Sequence, residues 1–147
     1  MKTVRILLFP DAGQTMIMED LVGRYCDCLL RCSEEKRWDS LCEEMTEIFC
    51  ATTYTQLQRD ICRRIHHASS KKMRIPHRYC RWGNDYRLTE TLVVLPLGEG
   101  FGIRELKIAC IYRPFQLHLL DKQHPETLIL KRMKKHWFAY VLVEGDN

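Results

Sequence analysis

The spacing of apolar residues changes in the second half of the chain, and this change constrains the fold more than any other sequence feature. Between about residues 16 and 65, apolar side chains recur three and four positions apart, as they do along one face of a helix. From Thr91 onward they fall mostly into short apolar runs that are typical of strands. Helices followed by a mostly antiparallel sheet indicate an α+β fold, with the N-terminal helices packed on the sheet.

The same patterns predict individual elements. The predicted helices are Met16–Cys32 with Thr15 as its N-cap, a second from about Ser33 to Phe49, a third that begins after Thr52 or Thr53, and a short one at Ile103–Tyr112. The predicted strands are Thr3–Phe9, Thr91–Leu97, Phe115–Leu120, Thr127–Lys131 and Trp137–Val143. Ser69–Asn84 shows no apolar periodicity and is expected to be a loop.

Length and composition favour a single domain that spans residues 1–147. With 147 residues and 46% apolar content, the chain is long enough for one core and short for two. No apolar run approaches the roughly 20 residues that cross a bilayer, and Met1–Phe9 lacks the long apolar core of a signal peptide. Most of the eight cysteines lie beside apolar residues on predicted helix faces. We therefore expect free thiols in a reducing compartment, cytoplasmic or nuclear.

Three short motifs occur in an order that is known from one family of enzymes. They are Pro10-Asp-Ala-Gly-Gln-Thr-Met16, Gly100-Phe-Gly-Ile-Arg-Glu-Leu-Lys-Ile-Ala109 and Lys135-His-Trp-Phe-Ala-Tyr140. The first resembles the nucleophile loop, the second the Glu-Leu segment, and the third the His-aromatic strand of the ovarian tumour (OTU) family of deubiquitinating cysteine peptidases, particularly its compact viral members. The resemblance implies a papain-like architecture, with His136 at the position of the general base.

The chain departs from that family at the residues that would carry catalysis. Thr15 stands at the position of the nucleophilic cysteine, and its hydroxyl pKa is too high for a helix N-terminus to ionise it. Phe138 stands where the family often places an Asp or Asn that orients the histidine. The resemblance therefore implies a catalytically inactive protein-interaction module, such as a virus-encoded accessory protein, with a ubiquitin-like or other host protein as its partner.

A second hypothesis keeps the enzyme active. Cys28, in the segment Tyr25-Cys-Asp-Cys-Leu-Leu-Arg31, also looks like the family's nucleophile segment and would act together with His136. Against this hypothesis, Cys28 lies within the apolar stripe of a predicted helix and lacks a glycine loop before it. A buried Cys28 and a partly buried strand histidine are the structural alternatives.

A structural zinc site is another possibility. Cys62 and His66 are four positions apart on one predicted helix, and His77 and Cys80 follow with knuckle spacing in the predicted loop. Four such ligands would close a tetrahedral zinc site and order that loop. The alternative is that Cys62 faces the core and that the histidines are solvated, in which case no cofactor is bound.

The segment between residues 59 and 81 is basic and points to a partner with negative charge. Lysine and arginine neutralise phosphates, and aromatic residues stack on unpaired bases. The candidate binding residues are Arg59, Arg63, Arg64, Lys71, Lys72, Arg74, Arg78, Arg81 and Trp82. RNA and an acidic protein fit this pattern equally well, and a solvated basic face without a partner is the third interpretation.

Overall fold

The computed structural model describes residues 2–36, 44–67, 78–114, 116, 119, 120 and 125–143. The long helices in these residues are α1 (Ala12–Glu35) and α2 (Ala51–His67). The strands are β1 (Lys2–Phe9), β2 (Tyr79–Trp82), β3 (Arg87–Leu88), β4 (Leu92–Pro96), β5 (Glu105–Ile111), β6 (Pro125–Met133) and β7 (His136–Val143). All seven strands form one antiparallel sheet in the order β2-β6-β7-β1-β5-β4-β3. The α+β fold class is confirmed.

The core lies between the helices and one face of the sheet. In β1, Val4, Ile6 and Leu8 are buried, and the residues between them are more exposed. The same alternation runs through β5 and β7, because successive strand side chains point to opposite faces. The buried strand residues form one apolar cluster with α1 residues such as Leu21 and Leu29. The helices therefore cover one face of the sheet.

The opposite face of the sheet, here called the open face, is covered by neither α1 nor α2. Its residues are those that alternate with the core residues on the four central strands. They are Thr3, Arg5, Leu7 and Phe9 on β1, Glu105, Lys107, Ala109 and Ile111 on β5, Ile129, Lys131 and Met133 on β6, and His136, Phe138, Tyr140 and Leu142 on β7. All of them are half-exposed or exposed.

The start of α1 differs from the prediction. Asp11 is the N-cap, and its carboxylate accepts a hydrogen bond of 2.7 Å from the Gln14 backbone N–H. The Gln14 side chain in turn accepts one of 3.1 Å from the Asp11 backbone N–H, which completes a capping box. Thr15 is not the cap: it lies inside the helix, and its hydroxyl donates to the Asp11 carbonyl at 2.8 Å.

Replacing Asp11 with alanine is expected to lower the free energy of unfolding by about 1 kcal/mol, because the Gln14 backbone N–H at the helix start loses its acceptor. Urea unfolding followed by circular dichroism measures this loss. Glu34→Ala is the matched control, since it removes an exposed carboxylate from the last turn of the same helix. An equal loss in both variants would show that the capping box is not the cause.

Four of the five predicted strands are confirmed, and two segments were assigned the wrong structure. Ile103–Tyr112 was predicted to be a helix, but it contains β5, which pairs with β1 on one side and β4 on the other. Phe115–Leu120 was predicted to be a strand, but Gln116, Leu119 and Leu120 are helical among its described residues. The confirmed strands are β1, β4, β6 and β7.

The remaining differences concern the helical half of the chain and the predicted loop. The first helix continues to Glu35, residues 37–43 of the second predicted helix lie outside the described part, and a short 3-10 turn follows at Glu44–Thr46. The third predicted helix is α2, which begins at Ala51 rather than after Thr52 or Thr53. The predicted loop Ser69–Asn84 contains β2, which pairs with β6.

None of the helices in the described residues is long and apolar enough to cross a membrane.

Candidate functional site

The structure does not bring the candidate catalytic residues together. Cys28 is buried on α1, within the core on the helix side of the sheet. His136 begins β7 and lies on the open face, while the next residue, Trp137, points into the core. The sheet therefore separates Cys28 from His136. Thr15 also belongs to α1, and its hydroxyl is bonded to the Asp11 carbonyl.

Three of the described cysteines, Cys26, Cys28 and Cys80, are in environments that disfavour a reactive thiolate. Cys28 is disulfide-bonded, so the expectation of free thiols is wrong for this residue. The free cysteines among the described residues are Cys26, Cys32, Cys50, Cys62, Cys80 and Cys110. Burial raises the pKa of the Cys26 thiol and raises the pKa of Cys80 well above its usual value. Both thiols are therefore protonated and unreactive at neutral pH.

The predicted zinc ligands are divided between the surface and the core. Cys62 and His66 are exposed on α2, whereas Cys80 on β2 is fully buried. His77 lies outside the described residues, so the complete set of four ligands stays a prediction. Within the part of the chain that the structure describes, no group of three or more His, Cys, Asp or Glu side chains could hold a metal ion.

The basic segment is only partly described, and some of its members have structural roles. Lys71, Lys72 and Arg74 lie outside the described residues. The prediction that Trp82 stacks on bases is wrong, because Trp82 is 1% exposed and its indole N–H donates to the Pro96 carbonyl at 2.9 Å. Arg78 forms an ion pair of 3.2 Å with Asp27, so part of its charge is neutralised.

Asp60 organises the part of the basic segment that faces inward. Its buried carboxylate accepts hydrogen bonds from the Tyr25 hydroxyl at 2.6 Å and the Tyr79 hydroxyl at 3.1 Å. Arg81 Nε lies 3.5 Å from the same carboxylate, as an ion pair without a hydrogen bond. Burial, followed by the Asp60 charge, raises the pKa of Tyr25 well above its usual value. These contacts join α1, α2 and β2, and we interpret them as structural.

Of the α2 arginines, Arg59 and Arg63 are exposed and Arg64 is half-buried. Arg63 lies 3.9 Å from the Asp60 carboxylate, whereas Arg59 points to solvent beside the turn that follows β2. All three belong to α2, which packs against α1 and the edge strand β2. None of them is among the open-face residues or lines the groove described below.

At the centre of the open face, two aromatic and two basic side chains form a regular arrangement, here called the aromatic–basic cluster. Its members are Arg5, Lys131, Phe138 and Tyr140. The strand register places Arg5 opposite Tyr140 and Lys131 opposite Phe138. Each cation also lies diagonally over the other ring, with Arg5 Cζ 4.9 Å from the Phe138 centroid and Lys131 Nζ 5.3 Å from the Tyr140 centroid. Each ring of the cluster thus has one cation opposite it on a neighbouring strand and the other cation diagonally over it.

The rings of this cluster belong to a row along β7. The centroid of Phe138 lies 6.2 Å from that of Tyr140 and 6.4 Å from that of His136. This spacing follows from the strand itself, because residues two apart point to the same face and are separated by two rises of about 3.3 Å. His136, Phe138 and Tyr140 thus form three successive platforms on a rigid element.

The charge of the open face is mainly positive. Lys107 adds a third cation to Arg5 and Lys131. The one carboxylate among the open-face residues, Glu105, lies at the edge of this surface and is paired with Arg87 at 3.0 Å and with Lys107 at 3.7 Å. Among the open-face residues that the structure describes, the cations near Phe138 and Tyr140 therefore have no carboxylate opposite them.

A groove runs along β1 on the open face and has a volume of about 490 Å³. Its wall on the β7 side contains Phe138 and His136, and its opposite wall contains Ile111 and Arg113. The complete lining is Thr3, Val4, Arg5, Leu7, Ile111, Arg113, Gln116, Leu119, His136 and Phe138. These described lining residues include no carboxylate, and they combine an apolar surface with the two arginines Arg5 and Arg113.

No motif in the sequence points to this surface, although the sequence contains its signal. The OTU resemblance makes Phe138 a missing catalytic partner and gives no role to Arg5 or Tyr140. In β7, the alternation of Trp137, Ala139 and Val141 with Phe138 and Tyr140 already indicates which side chains share a face. What the sequence does not indicate is that α1 and α2 both lie on the same side of the sheet.

Aromatic rings, cations and a groove occur together on the open face. Thr15, Cys28 and His136, the candidate catalytic residues, are not brought together. No protein-family model matches the chain, and no curated protein matches it either.

Proposed function

We propose that the chain is a non-catalytic module that binds single-stranded nucleic acid on the open face of its sheet. The observation that carries this proposal is the aromatic–basic cluster at the centre of that face. Nucleic acid without sequence preference is bound by aromatic platforms for the bases and by cations for the phosphates. Both kinds of side chain lie next to each other here, with ring–cation distances of 4.9 and 5.3 Å.

The geometry of the rings supports a single strand rather than a duplex. Bases stack on aromatic side chains only where they are unpaired and splayed out. Phe138 and Tyr140 are half-exposed on a strand, and their spacing of 6.2 Å suits successive bases of an extended strand. The charged groups of Arg5 and Lys131 lie at the ends of flexible side chains. Each can therefore move from its ring to a phosphate, while a base stacks on the ring.

The partner implied by the OTU resemblance, a ubiquitin-like protein, is the alternative occupant of the same surface. That expectation comes from the sequence motifs. The charge distribution supports a polyanion more strongly, because the cations of the open face and its groove belong to four different segments of the chain. They are Arg5, Lys107, Arg113 and Lys131.

Fluorescence anisotropy with labelled RNA and DNA of about twelve nucleotides tests the proposal, since such binding sites cover roughly 4–16 nucleotides. We expect saturable binding that weakens as salt rises, with a slope of log K against log salt near −3 if the four cations each contact one phosphate. A duplex of the same sequence is expected to bind more weakly. Binding that is independent of salt, or saturable binding of ubiquitin without binding of nucleic acid, would contradict the proposal.

A further inference from the structure

The two arginines of the groove along β1 have backbones that are joined through hydrogen bonds to one buried side chain. The Gln116 side chain donates a hydrogen bond of 2.6 Å to the Arg5 carbonyl and accepts one of 2.9 Å from the Arg113 backbone N–H. Gln116 is 8% exposed, so both bonds are largely shielded from water. A buried amide thus ties the backbone that follows β5 to the middle of β1, and both arginine side chains line the same groove.

We infer that this groove is a phosphate subsite for the strand bound on the open face, with Arg5 and Arg113 as the phosphate ligands. This inference rests on the proposed function. A guanidinium forms paired, charge-assisted hydrogen bonds with phosphate oxygens. Two guanidiniums in a groove whose described lining contains no carboxylate give a positive potential that an anion can neutralise. Thr3 lines the same groove and offers a hydroxyl donor.

The apolar part of the groove determines what kind of phosphate fits. Leu7 and Ile111 lie beside Phe138, opposite each other across β1 and β5. Apolar and aromatic surface of this kind accepts a sugar or a base, and a volume of about 490 Å³ lies within the range of small-molecule sites. The groove thus suits a nucleotide unit, with its phosphate at the arginines and its base towards Phe138, better than a free inorganic anion.

The test compares Arg113→Gln with the wild-type chain on three oligonucleotides of one sequence. These carry hydroxyls at both ends, a phosphate at the 5′ end, or a phosphate at the 3′ end. Arg113→Gln is expected to weaken binding about tenfold, as loss of one charge-assisted contact does, and to reduce the salt slope by about 0.7. Arg113→Lys keeps the positive charge but lacks the planar guanidinium that pairs with two phosphate oxygens. It should therefore restore the salt slope more fully than the affinity.

Arg31→Gln is the matched control, because it removes one exposed arginine from α1, outside the open face and its groove. A loss confined to one phosphorylated oligonucleotide would identify a terminal phosphate as the ligand, and an equal loss on all three would identify an internal phosphodiester. An Arg113→Gln variant that matches wild type in affinity and slope would overturn the phosphate subsite, as would an equal loss in Arg31→Gln. Failure of the wild-type chain to bind any of the three would instead overturn the proposed function.

Discussion

Replacing Phe138 and Tyr140 together with alanine is expected to weaken the binding of single-stranded nucleic acid about a hundredfold. Stacking of a base on an aromatic side chain contributes about 1–3 kcal/mol, so the loss of two platforms corresponds to roughly that factor. The double variant removes no charge. Its salt slope should therefore equal that of the wild-type chain, whereas removing a cation lowers the slope.

Anisotropy titrations at one salt concentration measure the affinity, and a salt series measures the slope. Phe101→Ala is a suitable control, because Phe101 is a half-buried ring on the helix side of the molecule, beside Asp20 and Arg24. Phe138→Tyr should keep most of the affinity, since the ring is retained. If the double variant bound as tightly as wild type, the rings would not be the platforms. If its slope fell, the variant would have disturbed the cations as well.

How far the sequence predicts this fold depends on how much each segment relies on distant partners. β1, β4, β6 and β7 each contain an apolar run of at least three residues, and the sequence predicts them correctly. β5 was not, because Glu105, Leu106, Lys107 and Ala109 favour helices locally, and only pairing with two neighbouring strands overrides that preference.

β2 is difficult to predict for a different reason: its local sequence pattern is weak. Its four residues, Tyr79–Trp82, alternate between buried and half-buried positions, but the segment is too short and too basic for the alternation to stand out. Its free edge is protected by a contact that no pattern predicts: Cys26 Sγ on α1 meets both the N–H and the carbonyl of Tyr79 at 3.3 Å. The burial of Trp82 follows from the same packing, which is why Trp82 was wrongly interpreted as a binding residue.

The candidate site was missed for a related reason. Sequence motifs directed attention to His136 as a catalytic base and to charge density between residues 59 and 81. Neither motifs nor charge density contain information on which side chains lie next to each other across strands that are distant in sequence, such as Arg5 on β1 and Tyr140 on β7. A binding surface made of alternate residues from several strands has no local signature, so it becomes visible only once the strand register is known.

Replacing Asp60 with alanine is expected to cause the largest loss of stability, about 3 kcal/mol. The change leaves the hydroxyls of Tyr25 and Tyr79 without their acceptor, and it removes the counter-charge of Arg81, which is 19% exposed. Because these contacts join α1, α2 and β2, the loss should appear as a lower urea midpoint of the whole transition. Asp60→Asn should lose less, since the amide oxygen still accepts from a tyrosine.

The control for Asp60 is Asp27→Ala, which removes a carboxylate from an ion pair with Arg78 whose side chains are 67% and 63% exposed. Exposed ion pairs contribute little to stability, because solvent screens them, so this variant should unfold within about 0.5 kcal/mol of wild type. Tyr79→Phe separates the two effects in the Asp60 network: it removes one hydrogen bond and leaves the charges in place, and should cost about 1 kcal/mol. A loss in Asp60→Ala no larger than in Asp27→Ala would mean that the network is not what holds β2 to the helices.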